Sequence, residues 1–459
     1  MYTSRPIRVR FAPSPTGHLH VGGLRTALFN YLFAKHNNGT YLLRCEDTDI
    51  ERSSKTFFDS QMNSFAWVGL MPDEPVVIQS SRFEEHKKII NKLLAEKKAY
   101  KCFCSEQELE QRLGKSESEQ HFVKYDKHCL TKQKENNGAY VIRFCMPETA
   151  DAYEFDDLIR GRVCFTPNQF DDFIIVRSDG IPVYNLVVVI DDAFMNISHV
   201  IRGEEHISNT PKQIALYHAC DYQVPQFAHL PMILSANGQK LSKRDGALSV
   251  NEYKDMGYLP HALLNYLARL GWAHKDQEIF SLEELITYFS LEAVGKKGAI
   301  FDPLKLDWIN STYMKATEAS VLYTYMQESL QYNFTTICPN WDMKTIERAL
   351  HIFKERVNTL KELLNEIESF YKDPILDKRY VTEQMKHHSM LIRNTFLKEG
   401  VSILNIKNKA KDLGVPMITL AQTLRFALLG KMDGPGVSEL LAILSDQQVL
   451  HRLERIQSI

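Results

Sequence analysis

The chain has 459 residues, with 55 Lys and Arg against 57 Asp and Glu and a formal charge of −2. At roughly 100–200 residues per domain it should hold about three domains, and its near-neutral balance excludes a wholesale cationic coat for nucleic acid but not a local basic face. No apolar run approaches the roughly 18 residues of a membrane helix, the first 11 residues carry three arginines and no hydrophobic stretch, and eight scattered cysteines form no disulfide scaffold, so a cytoplasmic protein without a secretory leader is expected.

Ile7 to Phe11 alternates apolar and basic residues as a strand does. Two prolines and a glycine keep Ala12 to Gly17 irregular. Leu24, Ala27, Leu28, Tyr31 and Leu32 then repeat at helical spacing, and Thr40 to Arg44 predicts a second strand running into the acidic turn Glu46-Asp47-Thr48-Asp49. This opens a βαβ unit, with its ligand loop at the carboxyl end of the first strand. Charged and polar residues crowd Ser105 to Lys134, a short strand is predicted at Tyr140 to Phe144, and residues 100–165 read as an insertion. The βαβ pattern resumes at Asp172 to Arg177, turns at Ser178-Asp179-Gly180 and enters Tyr184 to Ile190. That run, ending in Asp191-Asp192, predicts a central strand buried on both faces, with strand-end capping as one open reading of the two acids. His199 to Arg202 leads to a helix opened by Thr210-Pro211. Beyond Arg244 the pattern is mostly helical (262–270, 282–289, 346–367, 418–430 and 439–456), with a boundary near residue 310.

Two stretches carry chemistry. Thr16 to Gly23 links a strand to a helix N-terminus, where unpaired N–H groups and the helix dipole attract phosphate. Gly22 and Gly23 there permit close backbone approach, and His20 is placed to donate to a phosphate oxygen. A Gly-rich turn with incidental histidines is the plainer alternative. Gly238 to Arg244 sets Lys240, Ser242, Lys243 and Arg244 on a glycine-led loop able to clamp a polyphosphate as charge moves onto the leaving group; taken alone, it reads more simply as a solvated basic loop.

Together, His20-Val21-Gly22-Gly23 and Lys240-Leu241-Ser242-Lys243-Arg244 resemble the HIGH and KMSKS signatures of class I aminoacyl-tRNA synthetases. Phe11 to Gly17, Arg44 to Asp49, Tyr184-Asn185-Leu186, Val189 to Asp192, Val200 to His206 and Gly257 to Pro260 extend the likeness over roughly residues 7–310, in order and spacing, to the bacterial glutamyl-tRNA synthetases. The resemblance implies an α/β fold: a Rossmann-type catalytic domain (1–99 and 166–240), an α+β insertion holding the acceptor end (100–165), a helical stem-contact region led by the KMSKS-type loop (241–310) and an all-α anticodon-binding domain (311–459). It implies activation of L-glutamate by ATP with Mg²⁺, transfer to the terminal adenosine of tRNA-Glu, and a cytoplasmic monomer with no membrane partner. A glutaminyl enzyme would read the anticodon with β-barrels, whereas residues after 310 predict helices.

By the same resemblance His20, Lys240 and Lys243 are catalytic. Gly17, Gly22, Glu205, Leu234 and Ser242 join them around ATP. Arg10 takes the side-chain carboxylate of glutamate with Ser14 nearby, Glu46 its ammonium, and Tyr184 and Arg202 its remaining polar groups. Arg8 is expected to be solvated, and His18 to face solvent. Arg356 falls where the family favours glutamate anticodons. Some bacterial members hold zinc near Cys102, Cys104 and Cys129. Here Thr131 stands where the fourth ligand is usual, so His128 or His121 would have to complete a structural site, and a metal-free insertion is the simpler expectation.

Overall fold

The opening βαβ unit forms as its pattern predicts. Strands β1 (Arg8–Phe11) and β2 (Thr40–Cys45) pair in parallel around helix α1 (Val21–His36) in this computed structural model, which describes residues 5–48, 53–113, 124–131, 138–149, 151–241 and 248–459. A Cβ on Gly39 would come 2.6 Å from the Ile7 carbonyl, so only glycine lets the chain re-enter beside β1. After α2 (Lys55–Val68), β3 (Val77–Ile78) extends the sheet in parallel. α3 (Phe83–Ala95) follows, and the Asp47 carboxylate accepts from the Ser80 N–H and hydroxyl, fixing the acidic turn to the start of this segment.

The stretch expected to be an insertion, 100–165, contributes to two sheets and shares the first of them with residues outside those bounds. β4 (Ala99–Cys102), β5 (Val141–Phe144) and β8 (Ile174–Val176) form an antiparallel sheet, with the short helices α4 (Glu106–Leu113) and α5 (His128–Thr131) between the first two. Asp172 to Arg177 therefore does not resume the parallel pattern; its strand completes the insertion's own sheet. The hairpin of β6 (Tyr153–Asp157) and β7 (Gly161–Phe165) instead reaches into the core, where β6 runs parallel to β10 (Gln226–Leu230) and β10 parallel to β9 (His199–Gly203). Ser198 N–H donates to the Arg8 carbonyl, which sets the entry to β9 beside β1.

The apolar run before Asp191 is a helix, α6 (Tyr184–Phe194), and the expected central strand is not there. Leu186, Val187, Val188, Val189 and Ile190 are each at most 3% exposed. A helix buried all round shows no amphipathic period, and its short β-branched run cannot be told from a buried strand. The helix penalty of valine is under about 1 kcal/mol, so packing overrides it. α7 (Thr210–Ala219) carries Pro211 in its first turn, as expected.

The chain divides into two compact units, Met1–Asn251 with Leu264–Asp302, and Glu252–Leu263 with Pro303–Ile459. The second is helical, but two expected helices are each broken. The 346–367 pattern is Met343–Phe353 and Leu360–Tyr371, separated by a 3₁₀ turn at Lys354–Arg356 and restarted by Thr359, whose side chain accepts from the Glu362 N–H. The 439–456 pattern is Val437–Leu441 and Asp446–Arg455, restarted by a Ser445 capping box. Residue 310 falls inside helix Pro303–Ala316. Buried Arg452 donates to the carbonyls of Phe370, Lys372 and Leu428, satisfying helix ends that would otherwise be orphaned. No described helix is long and apolar enough to cross a membrane.

Candidate active site

A cavity of about 290 Å³ opens at the carboxyl ends of β1 and β9, in the first unit. It is lined by Arg10, His20, Gly22, Glu46, Tyr184, Arg202, Glu205 and Lys240, eight of the predicted residues, together with Arg25, His206, Met232 and Ile233.

The first group of charges is buried. Arg10 donates from Nε and Nη2 to the two oxygens of Asp192 at 2.9 and 3.1 Å, leaving Nη1 for a ligand. Arg44, fully buried, donates to Asp192 Oδ1 at 2.5 Å and to Glu46 Oε1 at 3.1 Å. Burial alone would raise the Asp192 carboxyl, but the two guanidiniums outweigh it and hold it at about 2. For Glu46 burial wins over Arg44 and Arg10, and its carboxyl is pushed above the usual range. Arg202 is held by His229 Nε2 at 3.1 Å, Gln213 Oε1 at 2.8 Å and Thr210 Oγ1 at 2.8 Å. The Tyr184 hydroxyl lies 3.3 Å from His206 Nδ1, and burial with the nearby Arg202 charge depresses the His206 imidazolium to about 4.

The second group is open to solvent. His20 is the N-cap of α1; its Nδ1 accepts from the Gly22 and Gly23 N–H groups at 3.1 and 3.3 Å. Backbone amides only donate, so the neutral ring must carry its proton on Nε2. Burial and the Lys240 charge both lower the imidazolium pKa, favouring that form. The helix-end amide of Gly22 thus serves the histidine, with the imidazole proton as the outward donor. Lys240 returns to β11 (Ile233–Leu234) by an antiparallel bridge to Leu234, after a turn in which Gly238 takes φ 74°. Ser242, Lys243 and Arg244 lie outside the described residues.

Several expectations change. Ser14 and Gly17 do not line the cavity; their carbonyls accept from Gln61 Nε2. Leu234 is represented there by its neighbour Ile233. Arg8 is not simply solvated, since it pairs bidentately with Glu74, whereas His18 is exposed as expected, 2.7 Å from Ser60 Oγ. Asp191 and Asp192 are not capping residues. Asp191 accepts from Gln79, Arg82 and His86, anchoring the segment around α3, and Asp192 joins Arg10 to Arg44. Their signal in the sequence was an acidic pair closing a wholly apolar run, which had to be buried and hence paired. Arg25 was also missed. It is buried in α1 and donates to the carbonyls of Leu270 and Pro231, and burial lowers it to about 10; a lone cation among Val21, Leu24, Leu28 and Leu32 was its signal. In the second unit Arg356 is exposed on its 3₁₀ turn, while neighbouring Lys354 is buried and donates to the Thr317 carbonyl at 2.6 Å.

In the insertion the ligand atoms of Cys102, Cys104 and Cys129 lie within 4.8 Å of one another. The Tyr125 hydroxyl stands 3.3 Å from Cys102 Sγ and 3.8 Å from Cys104 Sγ, and accepts from the Cys129 N–H at 3.1 Å. Tyr125 therefore occupies the place for which His128 was considered; His121 lies outside the described residues. Three thiols and a phenol oxygen suit the tetrahedral chemistry of a structural zinc ion.

The chain is similar to known proteins over nearly its whole length. Residues 6–308 match the family described as tRNA synthetases class I (E and Q), catalytic domain, and residues 321–457 match an anticodon binding domain. Glutamate–tRNA ligase 1 of Syntrophus aciditrophicus is 42% identical, with 99% of this chain and 98% of that protein covered. Glutamate–tRNA ligase of Thermodesulfovibrio yellowstonii is also 42% identical, with 98% and 99% covered. A crystal structure of a glutamate tRNA ligase from Elizabethkingia meningosepticum in complex with its amino acid superposes with a TM-score of 0.87 at 30% identity, covering 99% of each chain.

Proposed function

The chain belongs to the bacterial glutamate–tRNA ligases, class I synthetases of the glutamate and glutamine group, and on that premise we propose how its residues divide the work. The reaction joins L-glutamate to ATP as glutamyl-adenylate with release of diphosphate, then passes the glutamyl group to the terminal adenosine of tRNA-Glu. Neither step needs a covalent enzyme intermediate, so positioning and electrostatics carry it.

The observation that supports this division is the charge of the buried group. Arg10 and Arg44 are tied to Asp192 and Glu46, and Arg202, held by uncharged partners, adds one unbalanced positive charge against the one net negative charge of glutamate. Arg10 Nη1 takes the side-chain carboxylate, Glu46 the ammonium, and Tyr184 and Arg202 the remaining polar atoms. His20 donates Nε2–H to the phosphates. Lys240, with Lys243, draws off the charge that develops on the departing diphosphate. Glu205 and the Ile233–Leu234 strand flank the adenosine. Mg²⁺ travels with ATP, held mainly by phosphate oxygens.

The insertion (100–165) receives the acceptor end, the 241–310 region the stem, and residues 311–459 the anticodon, with exposed Arg356 favouring glutamate anticodons by hydrogen bonding and stacking. Cys102, Cys104, Cys129 and Tyr125 would hold a structural zinc ion that braces the insertion. Metal analysis of the purified protein should find about one zinc per chain, lost in Cys104→Ser; a metal-free protein would refute that part. The working state is a cytoplasmic monomer.

Incubation with ATP, Mg²⁺ and labelled glutamate, separately with tRNA-Glu and tRNA-Gln, tests the whole. Label on tRNA-Glu alone is expected. Label on both would discard the Arg356 reading, and label on neither would overturn the assignment.

A further inference from the structure

Behind Arg202 lies a buried pair that the two reaction steps do not use. His229 and Asp157 are each under 5% exposed. Arg202 Nε donates to His229 Nε2 at 3.1 Å, and His229 Nδ1 lies 2.6 Å from Asp157 Oδ2. A guanidinium N–H cannot accept, so Nε2 must present its lone pair and Nδ1 must carry the proton toward the carboxylate. One tautomer of one protonation state satisfies both contacts. Asp157 is itself fixed, because its Oδ1 accepts from the Ile159 and Arg160 N–H groups at 3.0 and 2.8 Å and so closes the β6–β7 turn.

We infer that His229, oriented by Asp157, is the positioning residue of Arg202, holding that guanidinium turned toward the glutamate end of the cavity. The inference rests on the proposed role of Arg202 in glutamate binding. Arg202 has five N–H donors. His229, Gln213, Thr210 and the His206 carbonyl take four contacts, which leaves Nη1 a hydrogen for the cavity. Without the acceptor on Nε the planar fork is held only at its Nη groups and can tilt about them, and the donor facing glutamate is misaimed. A proton on Nε2 would do the same, setting an imidazolium against the guanidinium. The charged and titratable groups facing the ring are Asp157 from β6, Arg160 from the hairpin turn, Arg202 from β9 and His206 from the segment before α7. Burial lowers the His229 imidazolium and Asp157 only partly offsets this, so the accepting neutral form prevails at neutral pH and is lost as pH falls through that lowered value.

The test is steady-state aminoacylation of tRNA-Glu by the full-length enzyme. His229→Leu should raise KM for glutamate about ten- to hundredfold, the range for a lost hydrogen bond to a charged group, with KM for ATP within about twofold. His229→Gln, whose amide oxygen can replace Nε2, should restore most of the glutamate affinity. It should also lack the acidic fall in kcat/KM for glutamate expected of the unaltered enzyme, since an amide does not titrate. Unchanged glutamate KM in a folded His229→Leu protein, equal shifts for glutamate and ATP, or an acid limb retained in His229→Gln would each overturn the inference. If His229→Leu does not fold, the His229→Gln profile decides alone. Arg202→Ala separates the two readings: if it leaves glutamate KM unchanged, the pocket assignment fails, whereas a raised KM there with a normal His229→Leu removes only His229.

Discussion

The two charge groups of one cavity are built on opposite plans. Around Arg10, Arg44, Glu46 and Asp192 every ion is tied to another, with Arg44 and Asp192 at 0% and 1% exposure and Glu46 half-buried. Around His20, Lys240 and Glu205 the side chains are exposed, and the fixed element is a capped helix end. On the proposed assignment the difference follows from the ligands. Glutamate offers three fixed charges and rewards a rigid complementary set, whose desolvation cost is met by mutual pairing. A triphosphate loses its diphosphate during the reaction, so its charges must be followed by groups free to move.

Substitutions should separate the plans. Asp192→Ala leaves two buried guanidiniums facing each other and should cost about 3–5 kcal/mol of stability, read by chemical denaturation; a loss below about 1 kcal/mol would mean the pairs are incidental. The carboxyl is held at about 2, below its unfolded value, so this contribution is present at neutral pH and is lost as pH falls from the ordinary carboxylate range through about 2. Lys240→Ala, on the open side, should leave the denaturation midpoint unchanged while slowing adenylate formation roughly 10²-fold. Comparable stability losses in both variants would erase the distinction. Arg10→Ala should raise KM for glutamate by about 10²-fold at unchanged KM for ATP.

His20 sharpens the comparison most finely. His20→Asn can still cap α1 but cannot offer the Nε2 proton, so stability should hold while adenylate formation drops about tenfold or more. His20→Gln reaches outward but loses the cap, costing about 1 kcal/mol of stability. The reverse pattern would place the histidine's role in folding alone.

The sequence made the first βαβ unit legible, because its signals are local: alternation in Ile7–Phe11, the helical repeat from Leu24 to Leu32, and the loop between them. That His20, Lys240 and Arg202 would share one cavity was equally legible. What stayed hidden was pairing across distance. Asp192 meets Arg10 across 182 positions, and Asp191 meets Gln79 across 112; nothing beside either acid announces its partner. Helix α6 was misread because burial on every side erases the period that marks a helix. Tyr125 escaped notice beside the cysteines because a phenol is an uncommon metal ligand and only the fold brings it onto the thiols.

Helix α6 carries Tyr184 at its start and Asp191 and Asp192 at its end, each facing a different neighbour. Its apolar middle merely spaces them, so swaps among valine, isoleucine and leucine there should be tolerated when volume is kept. Adding or deleting one residue is another matter. It would rotate one end against the other by about 100°, aiming both carboxylates away from Arg10 and His86 together. Over this stretch, the site depends on the count of residues more tightly than on their identity.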